Sequence, residues 1–292
     1  MMKKEQFPNF RTQKQHRFGR SIRILLAFML SLLVFGGASF FYMLHSYDYD
    51  LSRLLPQADS TSVTDKKTPP PSGVGNAVFL LVCRTEEGED PFLTALLFAD
   101  IQNAVIHAAV IPPKTLLPCE GGIQRMDAQF EKGGIPQLRA ALEAEYERKI
   151  DRYLLLDSQN LQGILQQLGG VRLNIPERID HRSEGLTLLL IQGEQTLRSD
   201  SLLKYMRYLN LQAEKNSLPQ AQLLCTALSQ YLNKANVEKG ESIYQTIVNS
   251  ADCDITVLDF AAAQKSLEFL ADPNSGFSVK PYGTVLEFPH EQ

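Results

Sequence analysis

The sequence predicts one α/β domain, a central mixed β-sheet flanked by helices, placed outside the cytoplasm behind a single transmembrane helix. Three observations predict it. Residues 150–175 read as strand, helix, glycine stop and strand. Short apolar runs alternate with amphipathic stretches from residue 76 onward. One uncharged stretch near the N-terminus is long enough to cross a bilayer.

In residues 150–175 the charged Asp151 and Arg152 lead into the apolar run 153–156. Asp157 or Ser158 is placed to cap the free N–H groups of a helix. Leu161, Ile164, Leu165 and Leu168 then follow at helical spacing and give it one apolar face. Gly169-Gly170 ends that helix, since glycine takes a left-handed position without a Cβ clash. Val171, Leu173 and Ile175 alternate with Arg172 and Asn174 until Pro176 stops the strand.

The first 23 residues carry seven Lys/Arg (Lys3, Lys4, Arg11, Lys14, Arg17, Arg20, Arg23) and one acid. Residues 24–44 carry no charge and, at about 1.5 Å each, reach roughly 31 Å as a helix. The basic flank stays cytoplasmic by the positive-inside rule, which puts the rest outside. The competing reading is a cleaved signal peptide with Gly36-Gly37-Ala38-Ser39 as its small-residue site. Phe40, Phe41 and Tyr42 continue the apolar run as an aromatic belt and favour the anchor. Residues 45–75, with TDKKTPPPSGVG, read as a flexible tether. The folded domain is residues 76–292, a size that fills one hydrophobic core.

Within that domain residues 77–83, 92–98 and 104–111 read as strands, with a turn at Ile101-Gln102-Asn103 and a stop at Pro112-Pro113. Gly133-Gly134 precedes a helix with Pro136 in its first turn, burying Leu138, Ala141 and Leu142, with Tyr146 one turn on. After residues 150–175 a polar loop leads to a strand at 186–191, then Gln192-Gly193-Glu194, then a helix. Asp200 or Ser199 caps that helix, Leu202, Leu203 and Met206 are its apolar side, and Arg207 and Tyr208 stand at its end. Residues 220–232 form a further amphipathic helix. The tail adds one or two helices and a strand-like stretch at 284–288.

The chain has 292 residues, 44% hydrophobic and 21% charged, with a net charge of −4. That balance excludes a nucleic-acid binder, which needs a basic field over its folded part. Cys83, Cys119, Cys225 and Cys253 are widely spaced, with no CxxC and no histidine at metal-ligand spacing. Cys83 and Cys225 fall on apolar elements and read as core, which leaves Cys119 and Cys253, placed in loops, as the pair for any disulfide. His107 alternates into an apolar strand and reads as a core or edge histidine rather than a base. No Gly-rich nucleotide loop, nucleophile elbow or HExxH is present.

An ordered set of five segments resembles the LytR–CpsA–Psr family of membrane-anchored cell-envelope proteins. The segments are residues 150–171; the stretch GLTLLLIQGEQTLRSDSLLKYMRY through Gly185, Gly193, Leu197, Leu203, Tyr205 and Arg207; IPPKT in the place of I-P-R-D-T; RMDAQFEKGG through Ala128, Gly133 and Gly134; and the N-terminal anchor. The resemblance implies transfer of an anionic glycopolymer from a polyprenyl pyrophosphate onto peptidoglycan, with arginines around the pyrophosphate and aspartates on magnesium. Arginine offers a rigid fork of donors to phosphate, and the metal neutralises charge on the leaving group.

The charged pattern departs from the family at several positions. Pro113 stands where the family carries Arg, and Lys114 where it carries Asp. Its Asp before the second strand falls at Pro91, with Asp90 one residue away. Leu209 replaces the second Arg of Y-x-R-x-R; Pro219-Gln220 stands for R-Q, and Asn216 or Ser217 for the Arg before it. Losing one transition-state charge contact costs ~100-fold or more in rate. The resemblance therefore implies a protein of cell-wall glycopolymer assembly with a reduced or lapsed site that binds a polyprenyl-linked or wall glycan. An active phosphotransferase, with Arg207 and Asp90 as catalytic residues and magnesium as cofactor, is the alternative; an unrelated anchored interaction domain is the third. Lys114, Arg84 and Gln220 are the candidate ligand-binding residues. Arg207 is either an anion-binding arginine or a surface arginine at a helix end. Lys114 is either a phosphate contact or a loop lysine, and Arg84, Glu86, Glu87, Glu89 and Asp90 are either a rebuilt site or a solvated loop.

Overall fold

A six-stranded mixed sheet forms the middle layer of the computed structural model, which describes residues 67–72, 75–86 and 90–282. Its strands are β1 (Ala77–Arg84), β2 (Pro91–Asp100), β3 (Val105–Val110), β6 (Arg152–Asp157), β11 (Asp252–Cys253) and β12 (Ser278–Tyr282), in the order β11-β6-β1-β2-β3-β12. β1 pairs with β6, and β3 with β12, in parallel; the other pairs are antiparallel. β2 lies at the centre, and its first six residues, PFLTAL, are all buried, as a strand covered on both faces must be.

On one face lies α1 (Met126–Tyr146), packing Phe130, Ile135, Leu138, Ala141 and Leu142 onto Leu80, Val82, Leu96 and Phe98. On the other face are α2 (Ser158–Leu168), α3 (Ser199–Ala213) and α4 (Leu218–Tyr231), which enclose Cys83, Leu93, Ala95, Ala108 and Val110. Three antiparallel ribbons complete the domain. They are β4 (Leu116–Cys119) with β5 (Gly122–Arg125), β7 (Val171–Ile175) with β10 (Gly193–Leu197), and β8 (Ile179–Ser183) with β9 (Leu186–Leu190). The tail holds α5 (Lys234–Glu238), α6 (Gly240–Ser250) and α7 (Val257–Leu270).

Residues 150–175 fold as expected from their pattern. Asp157 caps α2, its side chain accepting from Asn160 N at 2.8 Å, and Leu161, Ile164 and Leu165 are buried. Gly169 follows at φ 91°, and Val171, Leu173 and Ile175 point inward.

Several expectations are corrected. The helix expected after Gly134 is preceded by a helical stretch that starts at Met126; the two meet at Gly134, at φ 60° and ψ −149°. The polar loop after Pro176 contains β8, and the stretch at Gln192-Gly193-Glu194 opens β10. Each pairs in a two-stranded ribbon that is polar on one side, so apolar density alone does not mark it. Neither Ser199 nor Asp200 caps α3; Arg198 occupies the N-cap without a side-chain bond. α3 continues to Ala213, so Arg207 and Tyr208 stand in its middle rather than at its end. The tail has three helices, and the strand that closes the sheet is Ser278–Tyr282; residues 284–288 lie outside the described residues. Cys119 ends β4 and Cys253 lies in β11, rather than in loops, and both are free thiols. Cys83 and Cys225 are buried, which pushes each thiol up to about 12. His107 is a buried strand histidine with Nδ1 3.0 Å from the Tyr282 hydroxyl. Residues 1–23, 24–44 and most of 45–75 lie outside the described residues. Among the described residues no helix is long and apolar enough to cross a membrane.

Two measurements check this packing. Gly134 occupies a backbone region that is open to glycine and hostile to a Cβ. Gly134→Ala is expected to lower unfolding free energy in urea by about 1–3 kcal/mol. At the opposite edge, Arg152 of β6 grips Asp259 of α7, with Nε donating at 2.8 Å. That hydrogen bond first, and those from Thr256 next, hold the Asp259 carboxyl well below its ordinary 3.8. A depressed carboxyl contributes stability above its unfolded value and loses it as pH falls through the folded one. Asp259→Asn is therefore expected to be less stable at neutral pH, with the gap to the parent closing below about pH 4.

Candidate functional site

The strand register gathers one set of chain ends. Arg84 at the end of β1 stands opposite Pro91, which begins β2, and beside Asp157, which ends β6. β3 leaves the sheet at the same end, with Ile111 N donating to Thr94 O at 2.8 Å. Carboxyl ends of neighbouring parallel strands are where open α/β sheets bind ligands, because the chains part there and leave a crevice.

Three helices begin at this end and are tied to it. Ser158 N of α2 donates to Thr85 O at 3.2 Å. Met126 N and Asp127 N of α1 donate to Thr115 O and Pro113 O, at 2.8 and 3.0 Å. Gln220 of α4 is 2% exposed, and its Nε2 donates to Phe92 O at 2.8 Å and to Met206 O at 3.3 Å. Two carbonyl acceptors around one nitrogen fix the amide orientation and leave Oε1 inward. That Oε1 is buried without a partner, as is Nε of Arg84. A buried donor and a buried acceptor left unmet at one end of a sheet are what an absent polar ligand or an ordered water satisfies.

The charged groups differ in their freedom. Asp90 is exposed, and neither it nor the Arg84 guanidinium is hydrogen-bonded to a described residue. Lys114 is paired with Glu214, the C-cap of α3. Arg125, at the N-cap of α1, chelates Asp127 through Nε at 3.0 Å and through Nη2. The Asp127 bond first, with longer-range attraction from Glu214 and Asp90, raises the Arg125 pKa further above its ordinary range.

Residues 104–274 match the sequence pattern of the LytR_cpsA_psr family. The chain belongs to that family. It is 23% identical over 280 residues to the polyisoprenyl-teichoic acid–peptidoglycan teichoic acid transferase TagV of Bacillus subtilis (strain 168), covering 90% of this chain and 69% of TagV. The crystal structure of B. subtilis TagV superposes with a TM-score of 0.55 at 17% identity, over 73% of this chain and 93% of that one. TagT bound to LIIa-WTA superposes with a TM-score of 0.54 at 13% identity, over 77% and 85%. These superpositions show the fold.

The structure brings Arg84, Asp90, Lys114 and Gln220 to one end of the sheet. Arg207 stands apart, seven residues before Glu214 on α3, roughly 10 Å along the helix. Its Nη2 lies 3.9 Å from where a Cβ on Gly185 would stand, over the β8–β9 turn, and it pairs with no described residue. Sequence reasoning missed Arg125, Asp127 and Glu214. A cation and an acid two residues apart at a helix start is a readable signal for the first two; Glu214 meets Lys114 across 100 positions and has none.

The donor set does not fit magnesium. Among the described residues no three His, Cys, Asp or Glu side chains form a metal-holding group. Asp127 is held by Arg125, Glu214 by Lys114, and Asp157 by its own cap. Magnesium asks for near-octahedral oxygen ligation, and with these three engaged only the exposed Asp90 is unpaired among the described carboxylates of this site. A cavity of about 420 Å³ lies at the other end of the sheet, lined by Asn76, Tyr146, Arg148, Lys149 and Asp151, far from this chemistry.

Gln220 is expected to be structural as well as exposed to ligand. Gln220→Ala removes the bonds to Phe92 O and Met206 O and is expected to lower stability by about 1–3 kcal/mol in urea unfolding.

Proposed function

We propose that this protein takes part in cell-wall glycopolymer assembly by binding a phosphate-bearing glycan, polyprenyl-linked or wall-borne, without transferring it. The observation that carries the reading is the pair of unmet buried groups, Arg84 Nε and Gln220 Oε1, at the carboxyl end of the sheet. Arg84 and Arg207 keep guanidinium charge that no described carboxylate has claimed. A guanidinium in that condition suits phosphate oxygens, and an amide oxygen suits a sugar hydroxyl. Glu214 and Asp127 are bound to the chain's own cations, which leaves Asp90 as the one described carboxylate of the candidate site without a partner. Binding is therefore supported ahead of turnover.

In this reading residues 24–44 anchor the chain, residues 1–23 stay inside, 45–75 form the tether and 76–292 work at the outer surface. The uncharged span behind seven cations supports that arrangement. A second reading, an active phosphotransferase with Arg207 and Asp90 at its centre, is favoured by the transferase named TagV, which aligns with 90% of the chain.

The test uses the full-length protein in detergent with a polyprenyl-pyrophosphate-linked glycan and magnesium. Saturable binding without release of polyprenyl phosphate is expected, weakened about tenfold or more by Arg84→Ala or Arg207→Ala. Magnesium-dependent release that disappears in Arg207→Ala establishes the transferase instead.

A further inference from the structure

α7 is apolar on two sides, and the described chain covers one of them. The side turned inward holds Phe260, stacked on Tyr244, and Phe269 and Leu270, packed with Ile101 and Ala104 of the β2–β3 turn. On the side turned outward Val257 and Leu258 are 64% and 81% exposed. Ala261, Ala262 and Lys265 follow them at helical spacing and are exposed as well. A helix apolar on both sides is at home where both are covered, so the outward side of α7 asks for a second cover.

The place of α7 says what that cover is. The helix crosses the end of the sheet at which β1, β3, β6 and β12 begin. Asp259 in its first turn is gripped by Arg152, the first residue of β6, and its last turn reaches the β2–β3 turn. Three strand spacings separate β6 from β3, about 14 Å, and the 14 residues of α7 reach about 20 Å. The chain enters the domain at the same place. Thr68 N donates to Asn274 O at 3.1 Å, and its hydroxyl donates to Asp272 Oδ2 at 2.8 Å. Lys67 Cε lies 3.7 Å from where a Cβ on Gly276 would stand. Residues 1–66 therefore join the domain beside the C-terminal end of α7. The carboxylates nearest the helix ends are engaged, Asp254 by Arg139, Asp259 by Arg152 and Asp272 by Thr68.

We propose that the outward side of α7 docks on the surface of the bilayer, with Val257 and Leu258 at the boundary of headgroups and acyl chains. Lys265 then reaches back to the lipid phosphates, as a long cationic side chain at an interface does. The proposal rests on the anchored reading, in which residues 24–44 span the membrane. Residues 45–66 then link the span to Lys67, and a coil of that length reaches roughly 25 Å, which keeps α7 close to the lipid. Docking fixes which end of the sheet meets the membrane, something a free tether leaves open.

The chain contains no tryptophan, so Leu258→Trp introduces a single reporter. The full-length protein carrying it is reconstituted into vesicles of phosphatidylcholine and phosphatidylglycerol, with or without bromine on the phosphatidylcholine acyl chains. Co-flotation with the vesicles and about twofold or greater quenching by the brominated lipid are expected. Adding Val257→Asp, an acid that the first turn of a helix accepts, is expected to remove most of that quenching with helical circular dichroism unchanged. Leu211→Trp, placed instead at an exposed position of α3 one turn before Glu214, is expected to escape quenching. Co-flotation in which Leu258→Trp is unquenched, or no more quenched than Leu211→Trp, or indifferent to Val257→Asp, overturns docking and leaves the anchored reading standing. An unquenched blue shift that grows with protein density overturns it too, and assigns the cover to a second copy of the chain. Protein that fails to float with the vesicles overturns both readings.

Discussion

The parallel pairing of β1 with β6 is the constraint on which the rest of the domain depends. Parallel strands cannot be joined by a hairpin, so the chain between them must cross over a face of the sheet. It does so through β2, β3, the β4–β5 ribbon and α1, which covers one face on the way. Because β1 and β6 run together, they end together, at Arg84 and Asp157, and the chain must turn away from the sheet at that point. The turn after β6 becomes α2; the turn after β1 becomes the loop that carries Asp90. The antiparallel β2 begins where β1 ends, and β3 leaves at the same place. Charged residues that are far apart in sequence therefore share one end of the sheet.

That end has an unusual balance. Phosphate recognition is favoured by clustered guanidinium groups in a sheltered crevice, where few competing anions stand nearby. Here Lys114 and Arg125 have carboxylate partners of their own, whereas Arg84 and Arg207 have none among the described residues. The electrostatic design is divided: one pair of cations is restrained and solvent-facing, and the other is unclaimed. In the proposed binding reading, such a division suits reversible association more than the concentrated field that stabilises a phosphoryl-transfer transition state.

Much of the scaffold was legible because its signals are local. Residues 150–175 carry a cap, a helical stripe, a glycine stop and an alternating strand, and each is read within a few positions. The ribbons β8–β9 and β7–β10 were harder: Asp180, His181 and Arg182 or Glu194 and Gln195 look like loop until a partner strand accepts their backbone groups. α3 runs past Arg207 and Tyr208 because Leu209 and Ala213 carry its buried stripe on at helical spacing, while the polar Asn210 and Gln212 between them look like loop. At the site, Arg84, Asp90, Lys114 and Gln220 were found through resemblance, and their shared location follows from register. The ion pairs that divide the charges join residues such as Lys114 and Glu214, and nothing in a linear pattern announces such a contact.

The closing strand has one further consequence. β12 pairs in parallel with β3 across more than 170 positions, and Tyr282 on it reaches the ring of His107. Sheet completion must therefore wait until residue 282 has been made, whatever the earlier elements have done. Until then the outer edge of β3 offers unpaired backbone groups, the kind of edge that recruits other chains. Closure over so long a sequence separation is slow by nature, because loop entropy is lost before the contacts form. A nascent copy of this domain thus passes through a sticky, unfinished state, and a chaperone holding the β3 edge until residue 282 is in place would shorten its exposure.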